Sequence, residues 1–184
     1  MKRLVGIGVF ILLLSIIGSC KKIRKLKEFD LMYTEDIIIP ANNTVLTVPF
    51  DIFTPEQTTN TEAEYDNQGT SSKLVEEVKL TKLLFSIKSP TSSNFDFLNS
   101  VEIFLSSPNN TEILVASKYN IPETGLKQLE MEVSSENLKN ILQDESYNLR
   151  VKAVTDKTIF SDITVTTNAT FHVKARVKNV FKRK

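Results

Sequence analysis

The side chains that most often carry protein chemistry are scarce in this sequence. Tryptophan does not occur, and cysteine and histidine occur once each, as Cys20 and His172. A lone cysteine cannot close an internal disulfide, so the fold must be held by its core alone. One histidine and one cysteine cannot supply the usual donors of a zinc site. No Gly-x-Ser-x-Gly elbow occurs, and His172 shares an alternating segment's polar face with Thr170, Lys174 and Arg176. A Ser-His-Asp arrangement therefore has no local support. Without tryptophan, the large aromatic platform that suits a sugar is missing. Only five glycines occur, with no periodic repeat, which argues against a propeller or β-helix.

Acidic pairs are present at Glu35-Asp36, Glu76-Glu77 and Asp144-Glu145. Glycoside hydrolysis needs two carboxylates facing each other across a cleft, which sequence neighbours on a strand do not provide. Asp66-Asn67-Gln68-Gly69 comes nearest to a calcium loop, yet it lacks the alternate-acid spacing of an EF-hand. No catalytic residue, metal or cofactor is expected. Most of the eleven phenylalanines fall on core or turn positions. Tyr65 and Tyr119 lie in or near loops and are the candidate ligand contacts.

What is present in quantity is alternation. Phe29, Leu31 and Tyr33 alternate with polar or smaller neighbours, and a second run from Val48 to Phe53 carries Pro49, a mark of an edge strand or bulge. Residues 55–72 are polar and read as a long loop, with a short strand near 63–65. From Val78 the pattern sharpens, with apolar residues on both phases near Leu83, Leu84 and Phe85, as in a strand covered on two faces. Val101, Ile103 and Leu105 lead into the Pro- and Asn-rich turn 106–110, and 112–117 returns as a hairpin. Leu129, Met131 and Val133 alternate with Gln128, Glu130 and Glu132. One short helix is expected, capped at Ser134 or Ser135, with Leu138, Ile141 and Leu142 on one face. Leu149, Val151 and Ala153 form a strand, and a long closing strand runs from Ile163 through Phe171 to Val177. Seven to nine strands with turns between them predict an all-β antiparallel sandwich with one short helix.

The amino terminus has a separate logic. Lys2 and Arg3 precede an uncharged apolar run of about fourteen residues, in the range of a signal peptide's h-region and shorter than the roughly twenty needed to span a bilayer. Ile17-Gly18-Ser19-Cys20 follows. This run resembles the lipobox of bacterial lipoproteins: an aliphatic residue, two small residues, then cysteine. The resemblance covers residues 1–20, and Ile17 departs mildly from the leucine usual there. It implies cleavage before Cys20 and lipid on its thiol and new amino group, so that more than one chain holds the protein to a membrane. Residues 80–177 also resemble the β-sandwich domains of small lipoproteins, through Phe95-Asp96-Phe97-Leu98, the short helix before Tyr147 and the closing strand. That implies an immunoglobulin-like fold and nothing about activity.

Charge divides the chain the same way. Lys21, Lys22, Arg24, Lys25 and Lys27 follow Cys20 within seven positions, and Lys178, Lys182, Arg183 and Lys184 end the chain. The body between them, 28–177, holds 12 basic and 22 acidic residues, a net of −10. The first cluster is placed to contact anionic lipid, at about 1 kcal/mol for each basic side chain near the surface. The expected organisation is a signal peptide at 1–19, a basic tether at 20–27, a sandwich at 28–177 and a basic tail at 178–184. The expected role is that of a lipid-anchored cell-envelope protein without enzymatic activity, a protein-interaction or structural module meeting a membrane and an envelope protein partner, or else a glycan- or small-ligand-binding lipoprotein of an uptake system. No nucleic-acid partner is expected. Lys21 and Lys22 are not the acidic pair that directs some lipoproteins to the cell surface, so the resemblance favours the periplasmic face. Cys20→Ser is expected to release the protein from membranes and to block signal cleavage. A mature-sized Cys20→Ser product still found in the membrane fraction would overturn the anchor.

Overall fold

A computed structural model describes residues 26–42, 44, 49–53, 56–58 and 61–177. Cys20, Lys21, Lys22, Arg24, Lys25 and the 178–184 tail lie outside the described residues. The strands are β1 (Leu26–Ile39), β2 (Phe50–Phe53), β3 (Gln57–Thr58), β4 (Val75–Ser89), β5 (Leu98–Ser107), β6 (Asn110–Lys118), β7 (Gln128–Glu130), β8 (Glu132–Val133), β9 (Ser146–Thr155) and β10 (Ile163–Arg176). Two short α-helices, α1 (Thr61–Asn67) and α2 (Lys139–Leu142), join them, with a 3-10 turn at Ser72–Leu74. Among the described residues, no helix is long and apolar enough to cross a membrane.

The strands form two antiparallel sheets packed as a sandwich, the architecture that the alternation predicts. The smaller sheet runs β1-β10-β4-β7 and the larger β2-β9-β5-β6-β8, with β3 also pairing β9. Among the described strands, only β5 and β6 are neighbours in both sequence and sheet. The eight longer strands otherwise pass back and forth between the layers, which is the two-Greek-key order of a jelly roll. Immunoglobulin domains share the sandwich but group their strands as ABED and CFG. Alternation fixes which face of a strand is buried; it does not fix which strand lies beside it.

Strand β4 corrects the reading of a strand covered on both faces. Against β10, Lys82 pairs with Thr170 and Leu80 with Phe171, which leaves Thr81 as an extra residue. The Thr81 hydroxyl donates to the Thr170 carbonyl at 3.0 Å. Such a bulge reverses the phase of alternation. Val78 and Leu80 are buried before it, and Leu83 and Phe85 after it. One face is buried throughout, and Leu84 is left half-buried on the other.

The 55–72 segment is also different from its reading. Residues 61–67 are helix α1, with no strand near Ala63. Glu62 and Glu64 lie in its first turn, where a carboxylate meets the positive end of the helix dipole. Its end is a Schellman closure, in which Thr70 N donates to the Tyr65 carbonyl and Gly69 N to that of Asp66, both at 2.9 Å. Gly69 takes the left-handed position at φ +70°. The Asp66–Gly69 run weighed as a calcium loop is thus a helix terminus. Helix α2 is a single turn, and its cap is neither Ser134 nor Ser135. Asn137 Oδ1 accepts from Lys139 N and from Val78 N, each at 3.1 Å, and so ties the helix to β4. The alternating 128–133 segment divides at Met131: β7 pairs with β4 in one sheet and β8 with β6 in the other.

Asp144 holds the β5–β6 hairpin. Its carboxylate accepts from Ser107 Oγ at 2.5 Å, Asn109 N at 3.3 Å, Asn109 Nδ2 at 3.1 Å and Asn110 Nδ2 at 3.0 Å. These bonds, that of Ser107 first, hold its pKa below the ordinary aspartate value of 3.8. A lowered folded-state pKa stabilises the fold above the ordinary value, and the contribution is lost as pH falls through the folded one. Asp144→Ala is expected to lower the unfolding temperature by a few degrees at neutral pH, with the deficit closing well below pH 3.8. Thermal unfolding at both pH values checks this, and a constant deficit would show that the carboxylate charge is not what holds the turn.

Candidate functional site

Burial along the two central strands locates a gap in the core. On the inner face of β10, Ile163 and Val165 at one end and Val173 and Ala175 at the other are buried. Thr167, Ala169 and Phe171 between them are only half-buried. On β9, Ala153 is buried, whereas Tyr147, Leu149 and Val151 are half-buried. The sheets therefore close at both ends and stand apart in the middle. Phe95, Phe97, Leu98 and Ile159 plug one end, and Tyr65, Val78, Leu138 and Leu142 the other.

The space left is a cleft of about 590 Å³, within the size range of sites for small molecules. It is bounded by β1 on one side and by β2 and β3 on the other, the edges of the two sheets. Aliphatic and phenyl groups make most of its wall, among them Ile37, Ile39, Phe50, Val151 and Phe171. Its polar groups are few: the phenols of Tyr33, Tyr65 and Tyr147, the hydroxyls of Thr58, Thr61, Thr155 and Thr167, and the carboxylate of Glu35. Three of the chain's four tyrosines thus converge on one cleft. Tyr33 stands edge-on to Phe171, with ring centroids 5.8 Å apart, and Tyr65 edge-on to Phe29 at 6.4 Å.

Burial raises the pKa of all three phenols. Tyr65 is pushed up to about 12, by desolvation first and then by Tyr33. Tyr147 is raised by desolvation and next by the charge of Glu35, and Tyr33 by desolvation and next by Glu64. A phenol disfavoured as an anion remains a hydrogen-bond donor at neutral pH. The cleft thus offers an apolar body and a limited number of hydroxyls.

Of the two tyrosines singled out from the sequence, Tyr65 lines the cleft, but at 1% exposure it is a floor rather than an accessible loop residue. Tyr119 is elsewhere. It is 47% exposed at the end of β6, and its hydroxyl donates to Glu102 Oε1 at 2.5 Å. Glu102 also pairs with Lys152 at 3.1 Å, so Tyr119 belongs to a charged ladder on the outer face of the larger sheet. In the same ladder Arg150 pairs with Asp51 and Glu112, each at 2.5 Å, and lies over the Phe104 ring. Lys27, read as a membrane contact, is in β1, and its ammonium donates to the Gln68 carbonyl and Oε1, both at 2.8 Å. Strand β1 thus already includes Leu26 and Lys27. His172 lies on the outer face of the smaller sheet, with Nδ1 2.8 Å from Asp30 and Nε2 3.5 Å from Glu28. The sequence reading passed over Tyr33, Tyr147 and Glu35 as site residues. One signal pointed to them: Glu35 falls in the inward phase set by Phe29, Leu31, Tyr33, Ile37 and Ile39, where a carboxylate is costly unless the interior opens to water.

No protein-family model matches the chain, and no curated protein matches it. Among solved structures, that of Desmodium yellow mottle tymovirus is similar at a TM-score of 0.28 and 9% identity, covering 85% of this chain and 93% of that one. The decameric BFDV capsid protein is similar at 0.39 and 9%, covering 83% and 100%. Turnip yellow mosaic virus follows at 0.29 and 10%, covering 86% and 100%. Scores this low carry no functional likeness.

Proposed function

We propose that this chain is a lipid-anchored, non-enzymatic binding protein of a bacterial cell envelope, whose site is the cleft between its sheets and whose ligand is a small, largely apolar molecule. The cleft is the observation that carries the ligand: about 590 Å³ of mostly apolar space with three phenols and one carboxylate in its wall. Filling it removes apolar surface from water on both partners, at about 25 cal/mol for each Å². The lipobox-like run 17–20 and the basic residues after it support the anchor. The absence of a catalytic signature in the sequence supports a binding role.

A second reading, with a protein partner, draws on the outer edge of β1. That strand has 14 residues and pairs on one side only, with β10, among the described residues. An extended segment could add to it by main-chain hydrogen bonding. Glu28, Asp30 and Asp36 along it discourage such pairing, as charges on edge strands do, which is why the cleft leads.

Native mass spectrometry of the full-length protein in non-ionic detergent is expected to show an apolar probe such as N-phenyl-1-naphthylamine bound one to one. Ala169→Phe and Val151→Phe place rings in the cleft and are expected to weaken that binding about tenfold or more, a change of about 1.4 kcal/mol, with unfolding temperatures kept or raised. Probe binding untouched by both variants would remove the cleft as the site. Crosslinking in intact cells addresses the second reading, which fails if no envelope protein is recovered.

A further inference from the structure

Resting on the cleft as a binding site, we infer that its ligand is an organic cation with an apolar body, its ammonium head held at the mouth among Tyr33, Tyr147 and Glu35. Charge and aromatic content argue for this together. Glu35 is the one charged side chain among the described residues that line the cleft, and no lysine or arginine is among them. Among the described residues, neither Glu35 nor Glu64 is in an ion pair. By contrast, Asp51, Glu102 and Glu112 each hold a cation, and Asp144 holds a turn. Among the described residues, Glu35 is thus a negative charge at the rim of an apolar cavity without a counter-charge.

A fatty acid entering this cleft would bring its own carboxylate against Glu35 and meet no cation. An ammonium would supply the opposite charge at this exposed rim, while the apolar part of the ligand lies against the wall below it. The rings add to it. Tyr33, Tyr147 and Phe171 line the same cleft as Glu35, and the faces of aromatic rings attract an ammonium, the more so when it is desolvated. Tyr147 feels desolvation first and then the charge of Glu35, the carboxylate that lines the cleft with it. The alkyl or aryl part of the ligand lies deeper, against Val151, Ala169 and Phe50.

Photoaffinity labelling of the full-length protein in its own membranes tests this. Three probes share one alkyl chain bearing a diazirine and differ in the head: trimethylammonium, hydroxyl and carboxylate. The ammonium probe is expected to label β1, β9 and β10 peptides about tenfold more than the carboxylate probe, with the alcohol between them. Glu35→Gln is expected to reduce ammonium labelling to the level of the alcohol and leave the alcohol unchanged, while Glu35→Asp keeps the preference. Equal labelling by ammonium and carboxylate, or a preference that survives Glu35→Gln, would overturn the cation while the alcohol still reported a working apolar cleft. Failure of all three probes to label these strands would remove the cleft reading itself.

Discussion

Everything else in this fold depends on the pairing of β10 with β1 and β4. β10 joins β1 over all fourteen of its residues without a shift in register. One inward phase therefore runs from Phe29 to Ile39 and from Ile163 to Ala175. On its other side β10 meets β4, and there the register shifts three times. Bulges of this kind add twist and bend, so the smaller sheet is uninterrupted toward β1 and kinked toward β4. The partners are distant in sequence, since β1 opens the sandwich and β10 closes it. Such a sheet cannot form until β10 has been made, and pairing over so long a separation predicts slow folding.

The parts legible in the sequence are those governed by period. The long closing strand, the β5–β6 hairpin and the core phase of β9 follow from alternation of apolar and polar side chains. What alternation cannot carry is a change of phase, because two phases overlaid look like two buried faces. The bulge at Thr81 produced that misreading of β4. Helix α1 was illegible for another reason. Tyr65 is its only buried residue, so seven residues present no stripe; the helix is fixed by its Gly69 terminus and by Tyr65 packing on Phe29. Helix α2 shows the converse. Its apolar spacing is readable, but its start is not, because Leu138 precedes it without a side-chain cap and Asn137 Oδ1 ties Lys139 N to β4 instead.

The site was legible only in hindsight of the sheet order. Tyr33 and Glu35 come from β1, Tyr147 from β9 and Tyr65 from α1, and no local pattern connects them. The order β1-β10 in one layer and β2-β9 in the other sets these strands across from one another. Tyr119 had as strong a claim from the sequence as Tyr65, and exposure was the wrong criterion for separating them. The exposed tyrosine is bound into a surface ladder by Glu102, whereas the buried one forms a cleft wall.

The edge of β1 and the mouth of the cleft are two consequences of one geometry. A further strand beside β1 would complete the sheet and extend its wall across the opening. Among the described residues, the cleft is therefore accessible because β1 remains an edge, and an edge of fourteen residues invites unwanted pairing. Outward-facing acids are one defence, and β1 carries Glu28, Asp30 and Asp36, which engage His172 and Lys88 beside them. Glu35 is different in kind. It points inward, where it gives the edge little protection, and the described residues offer it no cation. Its place is explained by the cleft rather than by the edge, and that separates a residue that keeps the strand soluble from one positioned to select what enters.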